Sequence, residues 1–266
     1  MNNLINTIQN KECLIGMSDI KDKSIDLILC DMPYGTTKNR WDSIIPLPEL
    51  WEQYERIIKD KGAILLFAQA PFDKVLACSN LKMFRYEWIW EKTSASGHLN
   101  ASKMPMKAHE NILVFSKDEI PHEAILVFYK KLPQYNPIKT KGARKVSKKE
   151  SQEKCIKSSN YGKNFKRTTY DSDERYPRSV LTFKSDKQQS RLHPTQKPVA
   201  LFEYLIKTYT NKNDIVLDNC IGSGTTAVAC IKTKRNFIGF DDGVCEKTNR
   251  PFADIANDRI RGVFDE

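Results

Sequence analysis

Asp31-Met32-Pro33-Tyr34 closes the apolar run Ile25-Asp26-Leu27-Ile28-Leu29-Cys30 and sets a carboxylate, a rigid ring and a phenol within four residues. Such a turn can grip a flat polar group. The carboxylate and a backbone carbonyl accept hydrogen bonds from an amino group while the tyrosine ring stacks on the plane beside it. The plainer reading is a strand followed by a Pro-Gly turn whose aspartate caps a helix. Far downstream, Gly222-Ser223-Gly224-Thr225-Thr226 carries a second chemical signal. Two glycines let the backbone turn tightly and approach a ligand, and a following helix presents free N–H groups. Read through Ala227, with Asp241 seventeen residues beyond Gly224, the segment fits the loose dinucleotide-binding fingerprint G-x-G-x-x-A, so a nicotinamide enzyme is a rival. About forty residues follow the loop, too few for the rest of such a domain unless its sheet order is permuted.

These residues need elements to hold them. The Ile- and Leu-rich run before Asp31 fits a buried parallel strand, which Pro33 and Gly35 stop abruptly, and ligands of open α/β sheets bind outside the carboxyl ends of such strands. Residues 46–60 are expected to form a helix with Leu50, Tyr54, Ile57 and Ile58 on its apolar face. Residues 62–68, 85–91 and 110–116 are expected as strands, with 93–108 a loop over the site. After a long polar stretch, 179–183 regains apolar character and a proline-bounded helix starts at Val199. The segment 214–241 then reads strand, glycine loop, helix, strand, ending on Asp241.

The chain has 266 residues, 40% of them hydrophobic, enough for one α/β domain carrying a sizeable insertion. No apolar stretch approaches the length of a bilayer span and the first residues lack a signal-peptide pattern, which points to a cytoplasmic protein with no membrane partner. Its seven cysteines include no C-x-x-C pair and read as reduced core thiols. The four histidines show no ligand spacing, so no metal is implied. The net charge of +10 is localised: residues 130–167 hold thirteen Lys or Arg against two Glu, while the rest carries 30 basic and 31 acidic residues. That block is polar enough to read as a flexible loop. It is either a solvated insertion or, with Tyr135, Tyr161, Phe165 and Tyr170 interleaved, a surface for nucleic acid; the second reading is favoured.

Three motifs in order, Asp31-Met32-Pro33-Tyr34, His193-Pro194-Thr195-Gln196-Lys197-Pro198 and 218–226, resemble the beta class of DNA amino-methyltransferases, whose signature tetrapeptide is D-P-P-Y. The resemblance covers nearly the whole chain apart from residues 125–178. It implies a Rossmann-like α/β methyltransferase sheet with permuted motif order: a catalytic half at 1–124, a basic target-recognition insertion at 125–178 and a cofactor-binding half of the same domain at 179–266. It implies S-adenosylmethionine as cofactor and double-stranded DNA as partner. Asp31, Pro33 and Tyr34 match the catalytic motif. Gly222, Ser223, Gly224, Thr225 and Thr226 match the loop against the methionine part of the cofactor, and Asp218 opens that motif. Asp241 matches the acid that receives the ribose hydroxyls, Thr195, Gln196 and Lys197 the segment lining the methionine end with Asp31, and Glu12 the acid near the adenine amino group. Plainer readings are a capping acid for Asp241, a surface lysine for Lys197 and a capping residue for His193. The chain departs from the family pattern at Met32, at Cys220 where many members have phenylalanine, and at 242–251, which lengthens the turn after Asp241.

The implied reaction is methylation of the 6-amino group of adenine after base flipping. Members acting on the cytosine 4-amino group more often carry serine where Asp31 stands, and that cytosine activity is the alternative, with an inactive DNA-binding relative the remaining one. An RNA or protein amide methyltransferase usually begins the tetrapeptide with asparagine and places its glycine motif upstream. A homodimer and a cognate restriction endonuclease are both compatible with the sequence and required by nothing in it.

Overall fold

Successive residues of the apolar runs go to opposite faces of one sheet, as the two-residue period of a strand requires. Leu27 and Leu29 face one buried layer, Ile28 and Cys30 the other. The computed structural model describes residues 3–35, 42–96, 98, 101–117, 133–146, 171–184, 196–246 and 248–264. Its strands are β1 Thr7–Gln9, β2 Ile25–Cys30, β3 Ile58–Ala68, β4 Phe84–Ser96, β5 Lys107–Phe115, β6 Thr140–Val146, β7 Asp171–Arg175, β8 Val180–Phe183, β9 Ile215–Asp218, β10 Asn236–Phe240, β11 Val244–Cys245 and β12 Arg250–Pro251. The helices are α1 Cys13–Ser18, α2 Leu47–Ile57, α3 Phe72–Ser79, α4 Val199–Tyr209, α5 Thr225–Thr233 and α6 Phe252–Phe264.

Eight strands form one mixed sheet in the order β1-β10-β9-β2-β3-β5-β4-β8. All its neighbours pair parallel except where β5 meets β3 and β4, so β5 alone runs reversed. Helices α1, α2 and α3 cover one face, anchored by Met17, Leu50, Tyr54, Ile57 and Leu76. Helices α4, α5 and α6 cover the other through Leu201, Phe202, Leu205, Ala227, Cys230 and Ala256. With both faces covered, the central strands can be apolar throughout, as β3 is from Ala63 to Ala68. The arrangement is the Rossmann-like α/β sheet that the sequence implies.

Three boundaries differ from expectation. Helix α2 stops at Ile57 and β3 begins at once, because Ile58 pairs with Ile25 of β2 and buries its branched side chain there. The stretch expected as a loop at 93–108 is shortened at both ends. β4 runs on to Ser96 and β5 starts at Lys107, paired with it, so the two strands project past the rest of the sheet. In the basic block, 140–146 pair with 171–175 as an antiparallel ribbon, β6–β7, and do not join the main sheet. Residues 147–170 of that block, with Tyr161, Phe165 and Tyr170, lie outside the described residues, as do His193 and Thr195. Among the described residues no helix is long and apolar enough to cross a membrane.

Candidate active site

Strand β2 sits between β9 and β3, so the turns after β2 and β9 open side by side at one edge of the sheet. Asp31 is the first residue past β2. Its Oδ1 accepts a hydrogen bond from the Tyr34 hydroxyl at 2.6 Å and its Oδ2 is paired with the Lys197 ammonium. The turn is fixed from outside by Asp42, whose Oδ1 accepts from the backbone N–H of Tyr34 at 2.8 Å and of Gly35 at 2.9 Å. Met32, at the position where the family has proline, is buried in the layer under α1, α2 and α3. One face of the Tyr34 ring stacks on Phe72 at 5.6 Å between centroids.

Lys197 bridges two carboxylates. Its Nζ contacts Asp31 and lies 3.3 Å from Glu110 Oε2, while Glu110 Oε1 takes the Lys92 ammonium at 2.6 Å and the Gln69 amide at 2.8 Å. Burial pushes the Asp31 carboxyl up; Lys197 pulls against it, Glu110 adds to it, and the net shift is upward. Burial alone would also raise Glu110, but the Lys197 and Lys92 ammoniums outweigh it and hold it below the usual range. Lys197 is raised, because its two carboxylates outweigh the burial that opposes its charge.

The glycine loop is held just as closely. Gly222 and Gly224 have φ of +52° and +81°, and a Cβ on Gly224 would stand 3.0 Å from the Ala256 Cβ on α6. Asp218, the last residue of β9, accepts from Cys220 N at 3.1 Å and from the Thr226 hydroxyl, lacing the two ends of the loop together. Asp241, just past β10, accepts from Gly222 N at 2.8 Å and Gly243 N at 2.9 Å. Arg259 of α6 donates to the Ser223 carbonyl at 3.0 Å and to the Thr225 hydroxyl at 3.2 Å, and the Ser223 hydroxyl reaches Gln196 at 3.4 Å. Burial raises Asp218 to about 7 against its two hydrogen bonds, and Asp241 to about 6 against the two amides. Glu12 caps α1, accepting from Leu14 N at 3.0 Å and Ile15 N at 2.8 Å, and these amides bring its carboxyl down against a raising effect of burial.

All of these turns line one cleft of about 1450 Å³. That exceeds the roughly 300–1,000 Å³ of a usual small-ligand site and leaves room for two flat groups end to end. Of the residues singled out from sequence, Glu12, Asp31, Pro33, Tyr34, Gln196, Lys197, Asp218, Gly222, Ser223, Thr225, Thr226 and Asp241 line it. Gly224 is packed behind the loop against α6. Charge is unevenly spread along the cleft: Glu12, Asp218, Asp241, Asp242 and Glu246, with Lys11 beside them, lie toward β1, β9 and β10, whereas Lys92, Lys107 and Lys184, with Glu110 paired to Lys92, lie toward β4, β5 and β8. The lengthened turn after Asp241 becomes the small hairpin β11–β12, with Cys245, Phe252 and Ile255 as its own apolar cluster at the acidic end. Sequence reasoning missed Glu110, Gln69 and Asp42. Glu110 opens the apolar run of β5, and only the reversal of that strand carries its first residues to the edge where Asp31 stands.

The profile of the N6/N4 DNA methylase family matches residues 25–244. The chain belongs to this family. Among curated relatives, the Type II methyltransferase M1.MboII of Moraxella bovis is 30% identical over 89% of this chain and 92% of its own length. The DNA adenine methyltransferase YhdJ of Escherichia coli K12 is 28% identical over 88% and 78%. Among solved structures, the M1.HpyAVI complex with SAM superposes with a TM-score of 0.61 at 23% identity, covering 96% of this chain and 98% of that one. The cytosine-N4-specific PvuII DNA methyltransferase superposes at 0.60 and 14% identity, covering 96% and 92%. At those identities the superpositions speak for a shared methylase fold.

Proposed function

We propose that this DNA methylase transfers a methyl group from S-adenosylmethionine to the 6-amino group of adenine in double-stranded DNA. The observation that carries the proposal is the shared cleft: the Asp31 turn and the Gly222–Gly224 loop open beside each other, with Lys197 paired to Asp31 and Gln196 within reach of Ser223. The cofactor fits the acidic end. Gly222 leaves the backbone bare where a ligand must approach, Gly224 lets the loop pack against α6, and Asp241 is held by two amides at the end of β10 with acceptor capacity left for ribose hydroxyls. Ser223, Thr225, Thr226, Asp218 and Gln196 complete that half and Glu12 its adenine end. Bound there, S-adenosylmethionine supplies an electrophilic methyl group.

The base must come to Asp31. An exocyclic amine is a poor nucleophile because its lone pair is delocalised into the ring. A carboxylate accepts about four hydrogen bonds, so Asp31 keeps capacity beyond Tyr34 and Lys197 for an amine N–H. Accepting it, with the Pro33 carbonyl taking the second hydrogen, localises the lone pair and stabilises the positive charge that grows on nitrogen. The Tyr34 ring holds the base flat. Asp31, raised by burial, is also suited to receive the proton that the methylated nitrogen must lose.

Such an amine is unreachable inside a duplex, and flipping it out costs a few kcal/mol. The basic end of the cleft favours entry of the strand from the side of β4 and β5. The block at 125–178 serves as the target-recognition region, and its β6–β7 ribbon has the width that a major groove admits. Relatives named Type II methyltransferases favour a role beside a restriction endonuclease. Asp31 and the relative named as an adenine methyltransferase favour adenine. The test is to incubate the protein with S-adenosylmethionine and unmethylated genomic DNA and to separate the nucleosides by mass spectrometry. N6-methyl-2′-deoxyadenosine is expected. N4-methylcytosine would overturn the base assignment, and bound cofactor without any product would overturn the activity.

A further inference from the structure

We infer that Glu110 is a positioning residue for methyl transfer, acting through Lys197 to hold the Asp31 carboxylate in its working place and charge state. The inference rests on the proposed role of Asp31 as the residue that meets the target amine. Glu110 stands on β5 opposite Trp90 of β4, beside Asn111, which pairs with Ala68 at the end of β3. A reversed strand in a parallel sheet delivers its first residues, not its last, to the ligand-binding edge. That is how a side chain seventy-nine positions from Asp31 reaches the same ammonium.

The four charges alternate in one row, Lys92, Glu110, Lys197, Asp31, which runs from the interior to the partly exposed Asp31 in the cleft. The side chains of Lys92, Glu110 and Lys197 are each 8% exposed or less. Among the described residues, the acids paired with Lys197 are Asp31 and Glu110. Without Glu110, Lys92 and Lys197 would face each other as two ammoniums with one carboxylate between them and the cleft. Lys197 would then be free to lean fully onto Asp31 and neutralise the acceptor that the amine needs. With Glu110, Lys197 is shared, and Gln69 fixes the carboxylate from the third side at 2.8 Å. A buried ion pair is a poor means of stabilising a fold, since apolar side chains of similar volume usually do as well. Its presence against Asp31 therefore points to the reaction.

The test uses Glu110→Gln, which keeps shape and loses charge, and Glu110→Asp, which keeps charge and loses reach. The groups facing Asp31 are Lys197, Glu110, Tyr34, Cys30 and Asp218, and those facing Glu110 are Lys92, Lys197 and Gln69; only Glu110 changes. In cofactor-free protein, aspartate carboxyl carbons are followed by NMR through a pH titration, with Asp31 assigned from Asp31→Asn. The Asp31 titration is expected to move to lower pH in Glu110→Gln, because a like charge has been removed. In the methylation assay the same variant is expected to lose roughly tenfold or more in kcat, while affinity for S-adenosylmethionine changes less than about twofold. The acid limb of its pH profile moves down with the Asp31 titration, and Glu110→Asp recovers most of the rate. An unmoved Asp31 titration, or a rate loss with an unmoved pH profile, would overturn the inference and leave Glu110 a packing residue. If Glu110→Gln does not fold, Glu110→Ala, which also removes the charge, carries the test, and a wild-type Asp31 titration in that variant overturns it equally. A wild-type protein that titrates as described but methylates no DNA would sink the proposed function and not this linkage.

Discussion

In the proposed reaction the chemistry turns on Asp31, which holds two partners before any substrate arrives. Asp31→Ala is expected to lower kcat by roughly 10²–10³ or more, the scale of removing a preorganised electrostatic group. Cofactor affinity, read by calorimetry, stays within about twofold. Asp218 gives a prediction of the opposite kind. Its carboxyl sits at about 7 in the folded protein against an ordinary value near 4. Between those values the folded state binds more protons than the unfolded chain, so this group's contribution to stability falls as pH rises through the window. Asp218→Asn keeps an acceptor for Cys220 N and a partner for Thr226. It is therefore expected to raise the melting temperature of the cofactor-free protein at pH 8, with the gain shrinking steadily toward pH 4. A gain independent of pH would show that the burial of charge is not its source.

The Asp31 tetrapeptide and the glycine loop were readable because each combines a strand end with residues that stop a strand, and both are local properties of the chain. Helix α4 was readable for the same reason, with Pro198 before it and apolar residues at helical spacing within it. Glu110 was not, since an acid at the start of an apolar run looks like a solvated strand end until the direction of the strand is known. The end of α2 was hidden too: Ile57 and Ile58 continue the helical pattern, and only pairing with Ile25 pulls Ile58 into β3. The ribbon β6–β7 lay concealed in a polar block because its strands are exposed on both faces and have no apolar alternation to betray them. At this scale Lys141 and Lys145 of β6 offer a test of the proposed DNA contact. Replacing both with alanine is expected to weaken DNA binding on all sequences and to flatten the slope of log K against log salt by about 2. An unchanged slope would take the ribbon off the phosphate backbone.

At the scale of the whole molecule, the proposed target-recognition ribbon forms a sheet of its own, apart from the one that carries the candidate site. The ribbon's strands pair with each other, while the segments on either side are tied to the main body. Asn136 N reaches Thr208 O at 2.7 Å, and β8 pairs with β4. Lys139 lies 5.0 Å from the centre of the Tyr176 ring, so a short linker can join the two sides. Replacing 140–175 by a few glycines and serines is expected to leave the melting temperature and the stabilisation by S-adenosylmethionine nearly intact, about 2.7 kcal/mol at a hundred times its Kd. DNA binding is lost. Loss of the cofactor response together with DNA binding would show that the block also supports the sheet.

The order β1-β10-β9-β2-β3 has a further consequence, for how the protein is made. β1 pairs in the main sheet with β10 alone, and β2 has β9 on one side. Until residue 240 has left the ribosome the amino-terminal strand is without its partner, and until residue 218 has left it β2 shows an open apolar edge of the kind that draws other chains. Synthesis of the last strands is thus also the closing of a template for aggregation. A chain that stalls after β8 would carry the catalytic turn intact, and would be a hazard to its neighbours.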